Sequence, residues 1–236
     1  MDNIPPYIPY VFIAITLACI AFIVFAANVA GPAKRNSTPT VVFTFMAVWL
    51  FVIALLTFQG VFEDTTSFPP RLFIAVGMTV IALITLFVSK GSRDFILKMP
   101  ITTLTYLHII RVPVELVLWW LAIEKLVPIE MTFEGSNFDI LTGVTAPFAA
   151  VFLVGMRSKS TFAAVIWNIA GIVMLANIVI IAIRASPYFY NPESFAVPNI
   201  AVLQFPLIWL PTFVVPVVLF AHIASILKLV TPDPSE

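Results

Sequence analysis

Long apolar runs separated by short polar connections dominate the chain. A helix needs about 20 apolar residues to cross a hydrocarbon core of roughly 30 Å. Runs of that order predict seven crossings, at residues 8–30, 40–59, 71–89, 101–127, 140–156, 160–183 and 205–227. Breaker residues punctuate them: GPAKRNSTP after the first, FEDTTSFPP after the second, and Pro100 before the fourth. The fifth run is short and holds Pro147, which predicts a tilt, a kink or shielding by neighbours. Strands of a membrane barrel would be shorter and would alternate in polarity. The expected fold is therefore all-α: a single seven-helix transmembrane domain over residues 1–236, without internal repeats.

Charge in the connections adds a direction. Lys34 and Arg35, then Lys90, Arg93 and Lys98, then Arg157 and Lys159, then Lys228 fall on one side of this arrangement. Arg71 and Arg184 fall on the other, with Asp2, Glu63, Asp64, Glu130, Glu134, Asp139 and Glu193. Lys and Arg concentrate in cytoplasmic loops, so the N-terminus is expected outside and the C-terminus in the cytoplasm. Tyr7, Tyr10, Trp119, Trp120, Tyr188, Tyr190 and Trp209 would then lie toward the outer face. The acceptor triplet at Asn36 would be cytoplasmic and is read as loop. MDNIPPYIPY lacks the positive start of a secretory signal, so the first run is read as a retained crossing.

Composition agrees. Hydrophobic residues make up 61% of the chain and charged residues 10%, against about 25% charged in soluble domains. Such a chain cannot cover a water-facing surface, and the expected location is the cytoplasmic (inner) membrane of a bacterial cell, multi-pass. Its principal partner is the lipid bilayer. A formal net charge of zero leaves no basic footprint for nucleic acid. The single Cys19 excludes a disulfide framework. Oligomeric state cannot be read.

The fourth run contains LTYLHIIRVPVELVLWW. His108, Arg111 and Glu115 fall within an arc of about 60° on one helix face. A charge at bilayer centre costs at least about 2.5–3.5 kcal/mol, so this face should look into the bundle. Arg111 and Glu115, four apart, are expected to pair within the helix. Pro113 between them frees the carbonyl of Ile109, which needs another donor. His222 in the last run lies at a depth matching His108, roughly 10 Å from the inner boundary by helical rise. Asn168 falls near the same level, and Ser225 shares the face of His222. His108, Arg111, Glu115, Asn168 and His222 are the candidate ligand-binding residues, forming a polar layer in the cytoplasmic half. Asn177 points away from Asn168. Pro211 and Pro216 predict a bent or locally unwound last helix.

Outside the runs, VPIEMTFEGSNFDILTG gathers Glu130, Glu134, Asn137 and Asp139. Glu134 and Asp139 are weak candidates for a hard-cation site. A solvated turn with Asn137 or Asp139 capping the fifth helix is the preferred reading. The long segment ASPYFYNPESFAVPNIAVLQ is expected to fold back as a lid or to lie along the interface.

The function expected first is a membrane binding or transport protein taking a small polar or anionic solute, with histidine making a proton-linked cycle available. The alternatives are a redox protein holding haem b between His108 and His222, a lipid hydrolase with a metal on both histidines and Glu115, and a non-catalytic assembly subunit. No lysine lies deep in the last run for a retinal Schiff base, and there is no Walker loop or nucleophile elbow.

Overall fold

The computed structural model describes residues 4–32, 37–155 and 160–231. Asp2, Lys34, Arg35, Asn36, Arg157 and Lys159, used above for orientation and for the acceptor triplet, lie outside the described residues. The described residues are helical with no strand. The helices are α1 (Tyr7–Ala30), α2 (Thr38–Phe58), α3 (Arg71–Val88), α4 (Lys90–Lys98), α5 (Ile101–Ile123), α6 (Asp139–Leu153), α7 (Thr161–Ala185) and α8 (Leu210–Val230).

Six of these are long and apolar enough to cross a membrane: α1, α2, α3, α5, α7 and α8. The fifth expected crossing corresponds to α6, which is shorter. At 1.5 Å per residue it reaches about 22 Å, less than the roughly 30 Å of a hydrocarbon core. A second difference is α4. Residues 90–98 were expected as connection, but they form a helix that buries Ile96 and carries Lys90, Arg93 and Lys98. Lys228 Nζ donates to the carbonyl of Met99 just past its end (2.6 Å).

Helices α5 and α8 form the centre. In each, half of the apolar window is buried, against 11% in α3 and 17% in α2. Helix α1 presents Ile8, Phe12, Ile15, Cys19, Ile23 and Ala27 to the same core, at three- and four-residue steps.

Prolines shape the central helices. Pro113 lacks an N–H, and its ring crowds the carbonyl four residues back. The turn before it, His108–Ile110, tightens into a 3₁₀ form in which the Arg111 amide reaches the His108 carbonyl. Pro147 precedes a π turn at Ala149–Leu153. The expected break in the last helix is a π turn over Leu210–Val214. Pro216 cannot donate to the carbonyl of Thr212, and Trp49 Nε1 of α2 donates there instead (3.0 Å). Trp209 Nε1 returns a bond to the carbonyl of Leu50 (3.1 Å). Trp209, expected in an interfacial belt, thus ties α8 to α2.

The connections at the two ends of the bundle differ in charge. Glu63, Asp64, Glu124, Glu130, Glu134 and Glu193 lie at one end, the acidic end, with Arg71, Lys125 and Arg184, whereas Lys90, Arg93, Lys98 and Lys228 lie toward the other with Asp94. At the acidic end, Asp64 accepts from the Thr66 hydroxyl (2.7 Å) and amide (3.0 Å) and pairs with Arg71 (2.8 Å). The Thr66 bonds, helped by Arg71, hold its carboxyl below the usual value. The long segment after α7 folds back over this end. Phe195, Ala201, Val202 and Leu203 are buried, and Tyr188 and Phe189 pack on Phe73 of α3.

Candidate functional site

Arg111 lies midway along α5 and is 2% exposed. Its Nε donates to Asp139 Oδ2 (2.8 Å), and Nη2 pairs with Asp139 Oδ1 (2.5 Å). Nη2 also donates to the carbonyl of Gly171 (3.1 Å), and Nη1 to His222 Nε2 (3.1 Å). Guanidinium has only donors, so His222 Nε2 accepts and the proton of the neutral ring sits on Nδ1. That nitrogen donates to Asn168 Oδ1 (2.9 Å), and Asn168 Nδ2 donates to the carbonyl of Ala164 (2.9 Å). The chain Asp139–Arg111–His222–Asn168 links α6, α5, α8 and α7 in one network.

Two glycines permit this closeness. A Cβ on Gly171 would overlap the His222 ring, and one on Gly143 would press on Val112 and the Arg111 side chain. Gly in a helix interior costs about 1 kcal/mol relative to Ala. At Gly171 the missing side chain makes room for an imidazole and bares a carbonyl for Arg111.

The expected Arg111–Glu115 pair does not form as a direct contact. Arg111 turns to Asp139, whose carboxylate takes one hydrogen bond from Nε and lies in close ion contact with Nη2. Glu115 Oε1 instead accepts from Asn137 Nδ2, which also donates to the Met131 carbonyl (3.0 Å). Asn137 Oδ1 accepts the Asp139 amide (3.0 Å). Of the two residues expected to cap the fifth helix, Asn137 bonds the backbone at its start and Asp139 spends its carboxylate on Arg111.

His108 and His222 come together, as their matched depth allowed. Their rings stack at 3.8 Å between centroids and 21° between planes, with Trp167 against both. This geometry does not fit haem b. Axial ligation places the iron and its macrocycle between two imidazoles, and rings in face-to-face contact leave no room for either. Both His222 nitrogens are also engaged. Nor does the metal-hydrolase reading find ligands. Among the described residues no three His, Cys, Asp or Glu side chains gather where they could hold a metal ion. Glu134 is exposed while Asp139 is buried on Arg111.

Several buried polar atoms have no partner. They include both ring nitrogens of His108, Ser225 Oγ, Glu115 Oε2 and both side-chain amide atoms of Asn199. Glu115 and Asn199 are each 1% exposed. Both line a cavity of about 170 Å³ with Asp139 and Ser186, among apolar side chains from α3, α5, α7 and α8. The cavity extends from Glu115 toward the acidic end, under the folded-back segment that supplies Asn199 and Val202. The sequence reading centred the site in the opposite half, on His108 and His222. Asn199, Gly171 and Gly143 carry no such expectation, and Asp139 is expected first as a cap of the fifth helix and only weakly as a metal ligand. A glycine within an otherwise apolar helical run is the one visible signal for Gly171.

Residues 69–230 match a family model described as a domain of unknown function, DUF8737. The chain belongs to that family. The DUF8737 match takes in every residue of the network and the cavity, and leaves α1 and α2 outside. No curated protein and no solved structure matches the chain.

Proposed function

We propose that this DUF8737 protein is an integral membrane binding or transport protein that takes a small polar solute into the cavity beside Glu115. It crosses the bilayer seven times, with α6 as a short crossing shielded by α5 and α7, the N-terminus outside and the C-terminus in the cytoplasm. Lys90, Arg93, Lys98 and Lys228 opposite the acidic end, against Arg71, Lys125 and Arg184 at it, support that orientation. On this reading the cavity faces the outer half of the inner membrane.

One observation carries the proposal. Glu115, whose Oε2 is buried without a partner, lines a cavity among the helices. Intramembrane carboxylates are costly and usually serve a function, and a pocket lined by apolar walls with a few polar groups is the common form of a small-molecule site. Arg111 is already neutralised by Asp139, which counts against an anionic solute. The Arg111–His222–Asn168 network acts as the rigid wall that fixes Asp139 at the cavity edge.

The test is thermal stability of the purified full-length protein in mild detergent against a panel of small solutes. A binding solute should raise Tm in the wild type and lose that effect in Ala182→Phe, which fills the cavity. No shift across the panel, or a shift that survives the filled cavity, overturns the proposal.

A further inference from the structure

We infer that the cavity takes a small organic amine as its ammonium ion, with Glu115 holding either a proton or the ammonium but not both. The inference rests on the binding reading above and names its solute class.

The argument begins with charge. The cavity lining holds two carboxylates, Glu115 and Asp139, and among the described residues Arg111 is the one cation paired with either. Helices α3, α7 and α8 present no ionisable side chain to the cavity. His222 of α8 meets Arg111 with an acceptor nitrogen and adds no positive charge. Asp139 is matched by Arg111 through one hydrogen bond and one close ion contact, whereas Glu115 is hydrogen-bonded, among the described residues, to the neutral amide of Asn137 alone. An unmatched carboxylate in a low-dielectric interior either binds a proton or recruits a cation.

Shape and chemistry choose the cation. An inorganic ion would need about six oxygen ligands, and the cavity wall is mostly aliphatic and aromatic. An apolar cavity near 150 Å³ admits benzene, so about 170 Å³ suits a body of roughly six to ten non-hydrogen atoms. An ammonium on such a body donates to Glu115 Oε2 while the hydrocarbon fills the rest. Asn199, which also lines the cavity and has both amide atoms unpartnered, offers a second polar contact.

The proton balance is simple. Protonated Glu115 releases its proton to water as the ammonium enters, and regains one as the ammonium leaves. Net charge in the cavity is the same in both states, so the exchange avoids burying an unmatched charge.

The experiment uses full-length protein in detergent, weakly buffered near neutral pH, with benzylamine as probe and toluene as its uncharged counterpart. Calorimetry reads binding and a pH indicator reads proton release. Benzylammonium is expected to bind in the wild type and release a proton as it does. Glu115→Gln is expected to weaken benzylamine by about ten- to a hundredfold, the worth of one charged hydrogen bond, and to leave toluene unchanged. Toluene binding without benzylamine binding overturns the amine inference and leaves the cavity reading standing. Binding of neither overturns both. Proton release driven equally by sodium chloride alone overturns the inference in favour of an inorganic cation. The wild-type proton signal decides the matter even where the glutamine variant does not fold.

Discussion

Arg111 and Glu115 sit one turn apart on the same helix, equally buried, yet their surroundings are opposite. Arg111 makes polar contacts through all three of its nitrogens, to Asp139, His222 and Gly171. Glu115 lines the cavity with one oxygen bonded to Asn137 and the other buried without a partner. The first is a closed network across four helices; the second lacks a partner on one side. In an interior without water, a closed network is costly to cut because each cut strands a charge. An open site tolerates change because its bare atom has nothing to lose inside the protein. The contrast separates what holds the bundle together from what is left free to meet a solute.

Substitutions that cut the closed side should have the largest effects. Asp139→Ala strands Arg111 and is expected to cost about 3–5 kcal/mol of stability, read by unfolding in mixed micelles. Asp139→Leu with Arg111→Met should recover most of that loss, and failure to recover would show that the pair does more than balance itself. Gly171→Ala drives a methyl into the His222 ring and is expected to cost about 1–3 kcal/mol, in the same assay. On the open side, Glu115→Gln should change stability by less than about 1 kcal/mol, since its bonded oxygen keeps Asn137. Asn199→Leu, which removes two unpartnered polar atoms, should be neutral or stabilising by about 1 kcal/mol. A loss at Glu115 as large as that at Asp139 would erase the distinction. The smallest effect belongs to Asp64→Asn at the acidic end. That carboxyl is held below its ordinary pKa by Thr66 and Arg71. Its contribution is present above the unfolded-state value and fades as acid brings the pH down through the folded one. The variant should flatten that acid limb of a stability-versus-pH curve and change little near neutrality.

Much of this arrangement was legible in the residues. Run length and breaker residues marked the six long helices among the seven expected crossings, and the clustering of His108, Arg111 and Glu115 on one face marked the side of α5 that turns inward. Matched depth brought His222 and Asn168 to the same level, and the structure joins both to Arg111. What was not legible depends on which partner a long side chain reaches. Glu115 at four residues and Asp139 at twenty-eight are both within the grasp of an arginine once the chain folds, and only the packing of α6 on α5, through Gly143, decides between them. Asn199 lies in a segment without periodicity, so nothing in its spacing placed it under the bundle. The helical state of residues 90–98 was hidden by their charge, which reads equally well as a connection.

The bonds between α2 and α8 bear on how the molecule could be divided. Thr212 carries a carbonyl orphaned by a proline, and its donor comes from Trp49, outside the stretch matched by the family. Cut back to residues 69–230, the last helix would meet acyl chains with that oxygen bare. The leading pair of helices therefore serves as a splint, and a lone family segment would need a substitute indole from a neighbouring chain or a detergent headgroup to stand in its place.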